Sequence, residues 1–266
     1  MKKTILITGS TDGIGFATAK SLLKLGHEVL LHGRSEAKLA AVKTLLSDFA
    51  LPEFIKTYKA DLSILSEVKQ LANQIKEEHQ HLDALINNAG VFKIANTETI
   101  DGFDVRFAVN TIAPYLLTQQ LLPIMDNSGR VVNVSSAAQA SINPAELFTV
   151  GKLSDNEAYA KSKLAITMWS RQMAMSLGSD GPVIVAVNPK SFLGSKMVKE
   201  AYGVAGEDVQ QGADILVKAA LSNDFAKASG LYFDNDIGQF SAPHPDALDT
   251  NKTIKLTQAI EQVLAR

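Results

Sequence analysis

Thr4-Ile5-Leu6-Ile7-Thr8-Gly9-Ser10-Thr11-Asp12-Gly13-Ile14-Gly15 is the stretch on which the reading of this chain turns. A short apolar, β-branched run stops at a glycine. A helical pattern then begins at Gly13 and runs to about Leu25, with apolar residues at Ile14, Ala17, Leu22 and Leu25. Strand, glycine turn and helix in that order form the opening unit of a dinucleotide-binding fold. Glycines lack a Cβ, so the backbone can turn sharply and approach a pyrophosphate closely. The helix start then offers unpaired N–H groups and the positive end of its dipole to that anion. Gly9, Ser10, Thr11, Asp12, Gly13, Ile14 and Gly15 are the expected contacts.

Outward from this turn, strand-like and helical runs alternate. The strand-like runs are Glu28–His32, Phe54–Lys59, Leu82–Asn87, Arg130–Ser135, Val183–Asn188 and Gly230–Phe233. Between them lie helical patterns at Glu36–Ser47, Ser63–His79, Phe103–Met125, Glu157–Leu177 and Ala205–Leu221. Such alternation predicts one α/β domain over residues 1–266: a doubly wound Rossmann sheet, parallel, of about seven strands with helices on both faces. A last helix, Thr250–Ala265, follows a turn-rich stretch, Asp234–Pro245, and is expected outside the domain.

With Thr8 in front, the Gly-x-x-x-Gly-x-Gly spacing of Gly9, Gly13 and Gly15 resembles the classical short-chain dehydrogenase/reductase family. Further motifs keep that family's order: Asn87-Asn88-Ala89-Gly90 after the fourth strand, Val109-Asn110-Thr111 in a helix, Ser135-Ser136 after the fifth strand, and Tyr159-x-x-x-Lys163. Tyrosine and lysine four apart share a helix face. A nearby ammonium stabilises phenolate and draws the tyrosine below its ordinary value of about 10, which makes a usable acid or base. The resemblance implies the roles. Tyr159 transfers the proton, Lys163 lowers its pKa and bonds the nicotinamide ribose, Ser136 orients the substrate oxygen, and Asn110 completes a relay from a locally distorted helix. It also implies that Asn88, Ala89 and Gly90 line the cofactor and that Asp61-Leu62 borders its adenine. Asp61 or Ser63 also suits the cap of the next helix.

The cofactor expected is NADP(H), with NAD(H) as the alternative. The second strand ends in Gly33-Arg34, where an NAD site carries an acid for the ribose hydroxyls, and a guanidinium suits a 2′-phosphate. After the sixth strand, Pro189 and Phe192 are expected beside the cofactor, but Lys190 stands where relatives have glycine. That lysine suits an acidic substrate, a cofactor phosphate or plain solvent exposure. Residues 191–206 are expected to form a substrate loop with an apolar wall of Phe192, Leu193, Met197, Val198 and Tyr202. Residues 137–158 read as an insert at the active-site mouth, similar to that of the retinol-dehydrogenase-like branch.

A net charge of −2 gives no electrostatic case for nucleic acid or an anionic membrane. No cysteine is present, which excludes disulfides and thiolate catalysis and is compatible with a cytoplasmic location. No segment reaches membrane-spanning length, so no membrane partner is expected. The five histidines show no ligand spacing, and no metal is expected. The function expected is an oxidoreductase that interconverts an alcohol and a carbonyl on a small, apolar molecule. The alternatives are a polar, sugar-like substrate or a non-catalytic dinucleotide sensor. The resemblance also implies a homodimer or homotetramer built through Phe103–Met125 and Glu157–Leu177.

Overall fold

The opening run becomes β1 (Thr4–Ile7), and each later strand continues its logic of alternate residues facing opposite sides. A computed structural model describes residues 1–265, with all their side chains except those of Ala201 and Tyr202. In chain order the next elements are α1 (Gly13–Lys24), β2 (Glu28–Gly33), α2 (Glu36–Leu46), β3 (Ile55–Lys59), α3 (Leu65–Glu78) and β4 (Ala84–Asn87). Then come α4 (Val105–Phe107), a π-helical segment (Ala108–Ile112), α5 (Ala113–Leu121), β5 (Arg130–Val134) and α6 (Asp155–Leu177). The chain closes with β6 (Val183–Asn188), α7 (Lys196–Tyr202), α8 (Val209–Leu221), β7 (Tyr232–Asp234), β8 (Gln239–Ser241), α9 (Pro245–Leu248) and α10 (Thr250–Leu264).

The sheet runs β3-β2-β1-β4-β5-β6-β7-β8, parallel up to β7. Order reverses between β1 and β4, and a doubly wound sheet holds its ligand at that crevice. Leu6, Leu30, Leu85, Val131 and Ile184 face one layer, with α3, α5 and α6. Ile5, Ile7, Val29, Leu31, Ile86, Val132 and Val185 face the other, with α1, α2 and α8. With both faces covered, the strands read as continuous apolar runs.

Among the described residues the sheet has eight strands, against about seven expected. Residues 235–238 close a tight hairpin in which Gly238 takes φ +68°, and β8 pairs antiparallel with β7 inside the supposed turn-rich stretch. Phe240 of β8 packs at 5.0 Å from Phe225 and 5.1 Å from Phe233. The long helix expected over Phe103–Met125 is also corrected. Its middle turn is the π segment, in which Ala113 N–H reaches back to the Ala108 carbonyl, and its end is a 3₁₀ turn at Leu122–Ile124. Neither Asp61 nor Ser63 caps α3. Asp61 instead accepts from Ser63 N–H and Oγ in a local turn before the helix.

The helix faces expected to join subunits are already covered within the chain. Every residue of α5 but Gln119 and Gln120 is buried, and α6 has no exposed residue from 158 to 174. Leu256, Ala259, Ile260 and Val263 of α10 enter the same apolar cluster as Tyr115 and Trp169. Tyr115 Oη donates to Glu261 at 2.8 Å. The 137–158 insert does likewise: Ile142 and Leu147 are buried in that core, and none of its residues lines the cleft described below. Among the described residues no helix is long and apolar enough to cross a membrane.

Candidate active site

Along the carboxyl ends of the strands runs a cleft of about 530 Å³, from Arg34 and Asp61 at one end to Ser136, Tyr159 and Lys163 at the other. Its floor is the glycine turn. Gly9 takes φ +65°, and a Cβ there would stand 2.9 Å from Ala89 Cα. A Cβ on Gly15 would stand 2.3 Å from the Gly9 carbonyl oxygen. Asn88 Nδ2 donates to the Thr8 and Gly9 carbonyls at 2.9 and 3.1 Å, and Ala89 N–H donates to Thr8 Oγ1 at 3.0 Å. Asn88 and Ala89 thus brace the turn as well as lining the cleft. Asp12 caps α1 by accepting from Gly13 N–H at 2.7 Å.

Two expected cofactor contacts are misplaced. Ser10 is fully buried, its hydroxyl exchanging hydrogen bonds with the backbone of His32, and it does not line the cleft. Phe192 is 57 % exposed and also lies off the cleft. The other expected contacts, from Gly9 and Thr11 through Gly15 to Arg34, Asp61, Leu62, Asn88, Ala89, Gly90 and Pro189, all line it.

His32 also braces the turn. Its Nδ1 accepts from Gly9 N–H at 3.1 Å while Nε2 lies 3.1 Å from the Ala60 carbonyl. Burial pushes its pKa down to about 4, so the ring is neutral at pH 7, with the proton on Nε2. Arg34 lies 3.9 Å from Asp61 with most of its side chain exposed, and Lys38, unnoticed in the sequence, joins it at that end of the cleft.

At the Tyr159 end of the cleft, Lys163 is buried and donates to the Val134 carbonyl at 2.7 Å. Burial pushes its pKa down to about 8. The ammonium lies 5.7 Å from the centre of the Tyr159 ring. The two serines separate cleanly. Ser135 is buried, its hydroxyl shared with Thr167 Oγ1 at 2.7 Å and the Lys163 carbonyl at 3.1 Å, whereas Ser136 is only half-buried and opens to the cleft. Asn110 sits in the π segment. Its Oδ1 accepts from Val91 N–H at 2.8 Å, and its Nδ2 donates to the Val91 carbonyl and Ser162 Oγ, both at 2.9 Å. Pro114 has no N–H, so the ordinary helical bond to the Asn110 carbonyl cannot form. That proline, four residues on, is the sequence signal for the distortion. Both Asn110 Oδ1 and Lys163 Nζ come within 3.5 Å of where a Cβ on Gly90 would stand.

Around these groups Val91, Phe92, Ile94 and Met197 give the wall apolar side chains, interleaved with Lys93, Lys196 and Glu200. Phe92 meets the Tyr159 ring edge-on at 4.8 Å. Of the expected substrate loop, Met197 lines the cleft, Leu193 is buried against Gly212 and Val198 does not reach the cleft; the side chain of Tyr202 lies outside the described residues. The loop also contains α7, capped by Ser195 and ended by Gly203 at φ +69°. Lys190 takes φ +115°, a conformation that favours glycine. Its ammonium is held by Glu207 and Gln211, both at 2.6 Å, rather than left to solvent. Among the described residues no group of three or more His, Asp or Glu side chains is placed to hold a metal ion.

Comparison with known proteins gives the family and the fold. A family model described as short chain dehydrogenase matches residues 3–203. Human polyprenol dehydrogenase is 30 % identical over 88 % of this chain and 77 % of its own length. Human retinol dehydrogenase 13 is 30 % identical over 93 % of this chain and 80 % of its own. Among solved structures, an uncharacterized protein from Mycobacterium paratuberculosis superposes with a TM-score of 0.81 at 25 % identity, covering 98 % of this chain and 92 % of the other. A short chain dehydrogenase from Shigella flexneri complexed with NADP gives 0.69 at 25 % identity, over 88 % and 97 %.

Proposed function

The chain belongs to the short-chain dehydrogenase/reductase family, and from that premise we propose that it is an NADP(H)-dependent oxidoreductase interconverting a carbonyl and an alcohol on an apolar substrate. The observation that carries this reading is the meeting of Ser136, Tyr159 and Lys163, with Asn110 directly behind them, at one end of a cleft whose other end is the glycine turn. The turn fits a dinucleotide pyrophosphate, because Gly9 at φ +65° and Gly13 at φ +54° bend the chain sharply along the cleft and the N-terminus of α1 opens there. Arg34 and Lys38 fit a 2′-phosphate at the far end.

When bound, the nicotinamide supplies or accepts the hydride. Ser136 Oγ holds the substrate oxygen, and Tyr159 Oη gives the proton to that oxygen in reduction or takes it in oxidation. Lys163, charged below about pH 8, stabilises the phenolate left behind. Asn110 holds the segment through which protons return to Lys163. The apolar side chains of Val91, Phe92, Ile94 and Met197 in the wall support an apolar substrate, as do the names of the polyprenol and retinol dehydrogenases to which the chain is similar. The test is NADPH oxidation against a panel of aldehydes and ketones, with NADH in parallel and Tyr159→Phe as control. Turnover should collapse in the variant while NADPH binding survives; full turnover by Tyr159→Phe would overturn the mechanism.

A further inference from the structure

Arg106 and Asn110 stand four residues apart on one helical run; Asp155, Tyr159 and Lys163 stand four apart on another. At that spacing each set shares a helix face. In the fold the two runs are tied together around Tyr159. Arg106 is 1 % exposed, and a guanidinium so deep must be paired. Asp104 pairs it fully: Nε donates to Oδ1 at 2.8 Å and Nη2 to Oδ2, while Asp104 also accepts from Arg106 N–H. Yet Nη1 reaches further, to Asp155 Oδ1. Since Asp104 already balances the buried charge, the Asp155 contact is a tie between α4 and α6.

Both ends of that tie matter for the site. From Arg106 the chain runs straight through α4 into the π segment that carries Asn110. Asp155 opens α6 one turn ahead of Tyr159. On the other side of Tyr159, Asn110 Nδ2 donates to Ser162 Oγ, Thr111 Oγ1 donates to the Ser162 carbonyl at 3.0 Å, and Ser162 Oγ donates to the Tyr159 carbonyl at 2.7 Å. The tyrosine turn is thus held between two ties. A π segment contains one surplus residue. If that surplus slips along the helix by one position, the side chains it passes rotate by about 100°, and Asn110 leaves Ser162 and Val91. The Arg106–Asp155 pair fixes the run on the upstream side, and the Ser162 contacts fix it downstream.

We infer that Arg106, acting through Asp155, is a positioning residue: the pair sets the register of the π segment against the catalytic helix, so that Asn110 and Tyr159 serve the same site. The turnover arm of its test rests on the oxidoreductase reading, and the exchange arm does not. Arg106→Met would strand the buried Asp104 and endanger the fold, so the perturbation is Asp155→Ala in the full chain. That variant keeps the Asp104–Arg106 pair and removes a side chain that is 40 % exposed.

The expected result is a fall in kcat of about tenfold or more, since a misplacement of about 1 Å can cost that much. The NADPH Kd should stay within about twofold of the wild type, and amide hydrogen exchange should accelerate in peptides covering 108–112. Asp155→Asn keeps an oxygen acceptor for Arg106 and should restore most of the loss; a helix-dipole effect alone would leave it as impaired as the alanine variant. Unchanged exchange in 108–112, or a loosened NADPH Kd that matches the fall in kcat, overturns the inference. A wild type inactive on every carbonyl would count against the oxidoreductase reading instead, and the exchange result would still decide this one.

Discussion

Replacing Lys163 by Met should make the protein more stable at neutral pH while abolishing turnover. The Lys163 side chain is wholly buried, and its pKa falls from 10.5 to about 8 for that reason alone. Such a drop corresponds to about 3 kcal/mol by which the fold disfavours the charged form. Met has a similar length and no charge, so the substitution relieves that cost. It also leaves the Val134 carbonyl without its 2.7 Å donor, at a cost of about 1 kcal/mol. The net gain is about 2 kcal/mol, or about 5 °C in Tm for a chain of this size. Its pH dependence is the sharper signature. Between pH 8 and 10.5 the unfolded chain keeps the lysine proton and the folded chain has lost it, so wild-type stability rises with pH across that window. The variant lacks this rise. Its advantage is full below pH 8 and is gone by pH 10.5. Thermal unfolding by circular dichroism at pH 7, 8.5 and 10, with NADPH turnover in parallel, reads both effects. A variant that melts below the wild type at pH 7, or a difference that ignores pH, would refute the reasoning. Function held at the expense of stability is the general expectation for a buried active-site charge.

Gly15→Ala should weaken NADPH binding by at least about a hundredfold, because the new methyl would meet the Gly9 carbonyl at 2.3 Å and force the turn open; an unchanged Kd from nicotinamide fluorescence would place the pyrophosphate elsewhere. Arg34→Glu should move the kcat/KM ratio of NADPH to NADH toward NADH by about tenfold or more, since a carboxylate repels a 2′-phosphate and accepts from ribose hydroxyls; a ratio that stays put would remove Arg34 from cofactor choice. Light scattering should give a mass near 28.6 kDa, because α5 and α6, the helices expected to pair subunits, are covered within the chain. A mass of twice that would mean that another face assembles the protein.

How much of this was legible in the sequence follows from the range of the forces involved. The glycine turn, the strand–helix alternation and the Tyr159–Lys163 spacing are local patterns, and the structure keeps them; β6 spans Val183–Asn188 as expected. Short elements held by distant partners were not legible. β8 has three residues, too few to show alternation, and exists because Phe240 finds Phe225 and Phe233. α7 is set by its ends, Ser195 and Gly203, rather than by an apolar period. The 137–158 insert is expected at the active-site mouth, but hydrophobicity does not say which apolar surface will receive its side chains; Ile142 and Leu147 go to the core.

The Tyr159 end of the cleft shows the same division more finely. Asn110 was readable as a polar residue in an apolar helix, but its environment is made by three separate features. Pro114 withholds an N–H from its carbonyl, Val91 brackets its amide, and Ser162 ties it to α6. Only the proline lies within local reach, so the distortion could be anticipated from the sequence and its direction could not. Arg106 carries no local signal beyond its place in a helix, because its partners are Asp104, two residues away, and Asp155, forty-nine away. Lys190 marks the opposite limit. A glycine position filled by lysine is visible, and its φ of +115° shows why glycine suits it, yet the partners its ammonium takes, Glu207 and Gln211, are ones that no local pattern connects to it. Local sequence therefore marks the groups proposed to do the chemistry, while long-range ion pairs and amide contacts determine how they are held against one another.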